Sequence, residues 1–234
     1  MGREQPAEWS HVLRFLGLPA MPIFPESGVG DHVPEERAEL FHALTHSGTE
    51  LESLLMLHAL VLSFKPELIL ETGTDTGLGT LALASAAAKN GFGKVVTVDN
   101  DEQKYRTANA AFRSAGLERY VESHLSGSLE YIGGLPAGTS FGMVFFDSRS
   151  RLRIPEFEAL YARGALGNLA VFHDTSKHRI TTQPHKGTDV LRAYLGGLDR
   201  IAKEYCTGEI VMPYSRGMRI MQVKPLATPL TSSI

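Results

Sequence analysis

The sequence is short of sulfur cross-links, of charge imbalance and of long apolar runs. A single cysteine, Cys206, stands among 234 residues, so no disulfide can form within the chain, which suits a reducing compartment. Lysine and arginine number 23 against 26 acids, for a formal charge of −3, and the two signs are interspersed. The electrostatic footprint of a nucleic-acid or anionic-membrane binder is therefore missing. No apolar stretch is long enough to span a bilayer. The opening Met1-Gly2-Arg3-Glu4-Gln5-Pro6 has neither a signal-peptide core nor the Ser/Thr of a myristoylation motif. These absences lead to the expectation of a cytoplasmic protein with no nucleic-acid or membrane partner. Repeats, low-complexity tracts and domain linkers are lacking too. What remains is a chain of one α/β domain's size, with 43% hydrophobic residues to fill its core.

Residues 1–34 are rich in proline and glycine, with Trp9, Phe15 and Phe24 as apolar anchors but no sustained period. They read as a lid or an oligomerisation arm. From Glu35 the sequence turns helical. Leu51, Leu54, Leu55, His58, Val61 and Leu62 recur at helical spacing until Pro66 stops the run, and His58 on that face reads as a core histidine. Strands are expected at 68–72, 94–99, 119–124, 141–147 and 168–173. Helices are expected between them at 78–89, 101–115, 127–133 and 154–163, followed by a helix at 187–203. Such alternation means βαβ units and a parallel sheet. Segments 208–213 and 217–223, joined by Pro213-Tyr214-Ser215-Arg216-Gly217, read as a hairpin. A domain at 35–225 with a frayed tail at 226–234 completes the expected organisation.

The most informative stretch is Leu68-Ile69-Leu70-Glu71-Thr72-Gly73-Thr74-Asp75-Thr76-Gly77-Leu78-Gly79, followed by Val95-Val96-Thr97-Val98-Asp99. It specifies a buried strand, a glycine turn, a helix and a second strand ending in an acid. Dinucleotide sites place their glycines as G-x-G-x-x-G and seat phosphate on the next helix's N-terminus. Here the spacing is E-x-G-x-x-x-G. A carboxylate at the strand end repels a pyrophosphate but suits the amino-acid end of a cationic cofactor. This pattern resembles motif I of the class I S-adenosylmethionine-dependent methyltransferases, especially the catechol O-methyltransferase-type and other small-molecule branches.

The resemblance implies a Rossmann-like, doubly wound α/β fold: a seven-stranded sheet, mostly parallel with one antiparallel edge strand, and helices on both faces. It implies S-adenosylmethionine as cofactor, with Gly73 and Gly77 along the methionine part and Asp99 on the ribose hydroxyls. Glu71, Thr74, Ser128 and Asp147 complete the expected cofactor set. Acids also end the fourth and fifth strands, at Asp147 and Asp174. Matching positions in the catechol-type enzymes are metal ligands, so Asp147, Asp174 and Thr175, the last where an Asn is usual, are the expected ligands of Mg²⁺, with His173 as a substitute ligand. Related bacterial enzymes follow the first ligand with x-Asp-Lys. This chain reads Ser148-Arg149-Ser150-Arg151 and lacks the lysine base.

Arginine stays charged and accepts protons poorly, so Arg149 and Arg151 are candidates for binding an acidic acceptor, with Arg149 included among the catalytic candidates. The cluster Arg149, Arg151 and Arg153 as a whole reads as a solvated loop, with contact to substrate as the alternative. Histidine is the better base, and His173, His178 and His185 all follow or end the fifth strand. His173 and His178 are the leading catalytic candidates. A zinc or iron site built from the same histidines lacks the H-E-x-x-H helix and the facial-triad order. The expected activity is metal-assisted O-methylation of a small molecule such as a natural product, sugar or phenol, by a homodimer. The alternatives are a dinucleotide-dependent oxidoreductase and a catalytically inactive S-adenosylmethionine-binding protein.

Overall fold

The computed structural model describes residues 7–25, 40–45, 48–177, 188–213 and 215–225. His178, His185 and the expected tail at 226–234 lie outside the described residues. The core is a seven-stranded sheet built from β3 (Leu68–Thr72), β4 (Lys94–Asp99), β5 (Val121–Leu125), β6 (Phe141–Phe146), β7 (Leu166–His173), β8 (Cys206–Met212) and β9 (Met218–Val223). Two short strands, β1 (Phe24–Pro25) and β2 (His42–Ala43), pair antiparallel outside it. The spatial order is β5-β4-β3-β6-β7-β9-β8. All neighbours from β5 to β7 run parallel. The antiparallel pairing falls at one edge, where β9 runs against both β7 and the outermost strand β8.

Strand residues alternate between two cores, as the pleat requires. Ile69, Val95, Phe145 and Val171 join one cluster; Leu70, Val96, Phe146 and Phe172 join the other. On the first side the sheet is covered by α2 (Leu51–Phe64), α3 (Leu78–Asn90) and α4 (Glu102–Ser114), and on the second by α5 (Ser128–Gly133), α6 (Ser150–Ala162) and α7 (Thr188–Tyr205). With both faces buried, the central strands read as apolar runs. Pro66 follows the left-handed cap residue Lys65 at the end of α2, which is the stop expected there.

Two stretches differ from the sequence expectation. Residues 1–34 contain a helix, α1 (Ala7–Phe15). Its last turn and the residues after it bury Leu13, Leu16 and Leu18 in the same core as α2 and α3. The contact is fixed by polar links, since the Phe15 carbonyl accepts from Ser85 Oγ (3.2 Å) and Lys89 Nζ (2.7 Å). Nine residues carry too few turns to establish a period, and it is the tertiary contact that holds such a short helix. Likewise 40–45, expected within a helical stretch, contains β2.

Because the sheet order reverses between β3 and β6, the chain leaves β3 and β6 in opposite directions and opens a crevice at their carboxyl ends. The functional groups described below gather there. Burial of the post-α1 segment carries its own test. Leu16→Ala is expected to lower the unfolding free energy by about 2–5 kcal/mol, measured by urea denaturation; a loss under about 0.5 kcal/mol would place that segment outside the cooperative core.

Candidate active site

A cavity of about 370 Å³ lies at the carboxyl ends of β3, β4 and β6 and reaches Asp174 beyond β7. Gly73, in the turn after β3, has φ +90°, and a Cβ added to it would come within 2.6 Å of the Asp147 carbonyl oxygen. Only glycine fits this crossing, which brings backbone to the cavity wall. Gly77 also has positive φ, but its missing side chain makes room for the Phe112 ring, 2.7 Å from where a Cβ would be. Its role is to pack α3 against α4, and it does not line the cavity.

Glu71 ends β3 on the cavity wall and is only 1% exposed. Its Oε2 accepts from Thr97 (2.6 Å) and from Thr80, and Thr97 is in turn bonded to Thr74 (2.6 Å). Burial outweighs those two hydroxyls and pushes the Glu71 carboxyl up to about 8. Asp99, at the end of β4, accepts from the backbone N–H groups of Asp75 (3.0 Å) and Asp101 (2.9 Å). That orients its carboxylate at the cavity. Ser128 also lines it, its hydroxyl donating to the buried Glu156, which further accepts from Thr72 (2.8 Å) and Ser148 (2.9 Å). Glu156 thus ties three strand-end loops together beneath the cavity floor. Of the sequence-expected cofactor residues, Glu71, Gly73, Thr74, Asp99, Ser128 and Asp147 are brought together.

The opposite wall is a buried ion cluster. Asp147 and Asp174 are adjacent, as expected, but the guanidinium of Arg153 stands between them. Its Nη2 donates to Asp147 Oδ1 (3.1 Å) and to Asp174 Oδ2 (2.9 Å). The other nitrogens are used as well: Nε donates to the Ser148 carbonyl (2.6 Å) and Nη1 to the His173 carbonyl (2.5 Å). Arg153 is 3% exposed and lies over the Tyr194 ring at 5.3 Å. Arg216 Nε donates to Asp174 Oδ1 (2.7 Å) and sits 3.4 Å from Glu50 Oε1. Thr49 donates to Asp147 Oδ2 (2.9 Å).

His173 is 1% exposed and is enclosed by carboxylates, Nδ1 facing Asp147 at 2.8 Å and Nε2 facing Glu50 at 2.8 Å. Burial by itself would lower its pKa, but Asp147, Glu50 and Asp174 overcome that and push it up to about 10. The same contacts, with Arg216 on Glu50 and Arg153 on Asp147, hold both acids below their ordinary values against the opposing effect of burial. A ring that donates from both nitrogens has no lone pair for a substrate proton, and His173 does not line the cavity. In this arrangement His173 is turned away from the place the expected base would occupy. Thr175 is likewise buried away from the cavity, its backbone N–H bonded to the Gly217 carbonyl (3.2 Å). Arg149 and Arg151 are exposed on the cavity rim.

Ligating atoms of Asp147, His173 and Asp174 lie within 4.8 Å of one another, close enough for a shared ion. The donor chemistry as arranged does not fit a divalent one. All four carboxylate oxygens of the two aspartates already accept hydrogen bonds, and an arginine cannot give up its proton to make way. A doubly charged ion about 4 Å from a guanidinium is repelled by about 8 kcal/mol at an effective dielectric constant of about 20.

Glu50, Arg153, Glu156 and Arg216 are the residues sequence reasoning missed. Only Arg153 had a signal, its place in the Arg149-Arg151-Arg153 cluster. The expected helix start at 154 put it in a loop, whereas α6 begins at Ser150, and its first turn carries Arg153 inward.

Residues 70–175 match the family described as a methyltransferase domain, a span running from β3 to just beyond β7. Over that span the chain is similar to a methyltransferase domain. It is 25% identical over 158 residues to a caffeoyl-CoA O-methyltransferase of Stellaria longipes, an alignment covering 65% of this chain and 64% of that relative. The chain thus matches just under two-thirds of the curated relative's length. Solved structures agree on the fold. The O-methyltransferase TomG of Streptomyces achromogenes, in complex with SAM, matches with a TM-score of 0.63 at 20% identity, covering 95% of this chain and all (100%) of the other. An O-methyltransferase of Bacillus cereus in complex with SAH matches with a TM-score of 0.62 at 18% identity, covering 94% of this chain and 92% of the other. No helix among the described residues is long and apolar enough to cross a membrane.

The proton held by Glu71 has a measurable consequence. The folded chain keeps it up to about pH 8, whereas an unfolded chain releases it near about pH 4.3. The native state therefore binds the extra proton between those values, and its stability falls as pH rises through that window. Glu71→Gln, which does not titrate, is expected to gain in Tm over the wild type between about pH 5 and pH 8, the gap levelling off above. Parallel Tm curves for the two proteins would overturn the assignment.

Proposed function

We propose that this protein is an S-adenosylmethionine-dependent methyltransferase that methylates an oxygen of a small-molecule acceptor. The observation that carries the reading is the pairing of Glu71 and Asp99 on either side of the Gly73 crossing, on one wall of a cavity inside the matched domain. The relatives' printed activities, O-methyltransferases in each case reported above, support oxygen as the accepting atom. A dinucleotide site is disfavoured by Glu71, which occupies the strand end where phosphate would approach.

Asp99 holds the ribose hydroxyls, its carboxylate kept in place by the two backbone N–H groups that it already accepts from. Glu71 meets the cofactor's α-ammonium, and a cation arriving there favours its ionised form. Gly73 lets the methionine part lie against backbone. When bound, S-adenosylmethionine supplies a methyl group already activated by the sulfonium charge. The protein's share would be alignment, holding the acceptor oxygen where it could take the methyl that the cofactor supplies. The acceptor's proton passes to water, since the one histidine of the described cluster is already protonated. Arg149 and Arg151 on the rim contact the outer part of the acceptor. Magnesium assistance would require Asp147 and Asp174 to release Arg153.

Titration calorimetry tests the cofactor site. The protein is expected to bind both S-adenosylmethionine and S-adenosylhomocysteine, and Asp99→Ala to weaken each at least about tenfold, because two hydrogen bonds to a charged acceptor are lost. An unchanged affinity in that variant would reject the ribose assignment. Transfer of labelled methyl to a panel of phenolic, sugar and carboxylic acceptors tests the reaction itself.

A further inference from the structure

The ion cluster beside the cavity balances without any added cation. Three carboxylates, Glu50, Asp147 and Asp174, face three cationic groups, Arg153, Arg216 and His173. His173 counts as a cation on geometry alone: both of its nitrogens are 2.8 Å from a carboxylate oxygen, and a carboxylate can only accept. Arg153 is not a surface side chain that has drifted inward. Ser148, at the end of the β6 strand's following turn, and His173, at the end of β7, each give it a backbone carbonyl, and the Tyr194 ring covers its face. Tyr194 also donates to the same His173 carbonyl at 2.7 Å. The position between the two strand-end aspartates is thus built, from four sides, for a planar cation.

We infer that Arg153 is the resident cation of this site, filling the place between Asp147 and Asp174 that a divalent ion would need, so that the protein binds its cofactor and turns over without one. This rests on the methyltransferase reading for its last clause only; exclusion of the ion follows from the cluster itself. Arg153 also borders the cavity, so its fixed positive charge faces the half of the site opposite Glu71 and Asp99. A charge supplied by a side chain cannot be removed by chelation, and its proton stays on throughout the ordinary pH range.

Metal binding is measured directly on the intact protein. Metal-free wild type is titrated with Mn²⁺ while free Mn²⁺ is followed by its paramagnetic resonance signal, and no site tighter than about 1 mM is expected. A stoichiometric Mn²⁺ site in the wild type that disappears in Asp174→Asn would overturn the inference. Arg153→Met removes the guanidinium at similar volume and leaves three acids facing two cations. This variant is expected to gain one Mn²⁺ site and to show a Tm that rises with added Mn²⁺, while the wild-type Tm does not move. If Arg153→Met folds and binds no Mn²⁺, the claim that Arg153 fills an ion's place is overturned; if it does not fold, the wild-type titration decides alone. Calorimetry with S-adenosylhomocysteine on the same metal-free wild type separates the two readings. Binding there supports both; absence of binding overturns the methyltransferase reading and leaves ion exclusion to the Mn²⁺ result.

Discussion

The contact between the Arg153 guanidinium and the two strand-end aspartates governs how this molecule closes. Charges this deeply buried are costly to desolvate, and such a cluster persists only when each member is paired and hydrogen-bonded. Here that condition reaches into five parts of the chain: the lead-in to α2, the end of β6, the first turn of α6, the end of β7 and the β8–β9 turn. Several local features make sense only through it. α6 starts four residues earlier than its proline suggests, placing Pro155 inside the helix, because the extra turn is what aims Arg153 inward. Asp174 takes a left-handed backbone, φ 58°, at the point where its carboxylate must face both Arg153 and Arg216. Removing one partner from such a cluster costs about 3–5 kcal/mol, since the others are left buried and unmatched.

The cavity is electrically two-sided as a result. Along β3 and β4 it presents Asp99 and a protonated Glu71, a wall able to take up positive charge as a ligand arrives. Along β6 and beyond β7 it presents carboxylates already cancelled by arginine. A sulfonium cofactor would feel attraction from the first wall and indifference or mild repulsion from the second, which orients it before any close contact forms. Under the proposed reading, an acceptor entering from the second wall would meet guanidinium groups instead, suited to an oxygen that carries negative charge before it reacts.

Much of the frame was legible because its signals are local. Leu68–Thr72 and Lys94–Asp99 announce themselves as buried strands, and Glu71, Gly73 and Asp99 occupy fixed offsets within one βαβ unit. The cluster was legible only in part. Asp147 and Asp174 could be placed because each ends a strand, but their partners come from far along the chain: Glu50 meets His173 across 123 positions and Arg216 meets Asp174 across 42. No spacing rule reaches that far. Arg153 was misplaced for a nearer reason, since Ile154-Pro155 imitates a helix start and moves the arginine out of the helix. α1 escaped notice because Trp9, Val12 and Leu13 keep helical spacing over only nine residues, too short a run to stand out in a segment rich in proline and glycine.

The order in which the cluster's members occur along the chain has a bearing on synthesis. Two of the three acids, Glu50 and Asp147, leave the ribosome before His173, and Arg216, in the turn leading into β9, comes after every other member. β9 is also the strand that slots between β7 and β8. Until that strand inserts, a growing chain has Asp174 without one of its two arginines and β7 with an open edge, a form prone to wrong pairing. Among the described residues, the last strand to be translated is therefore the one that covers the β7 edge, and the turn leading into it brings the second arginine to Asp174, so pairing of the strand and neutralisation of that carboxylate arrive together.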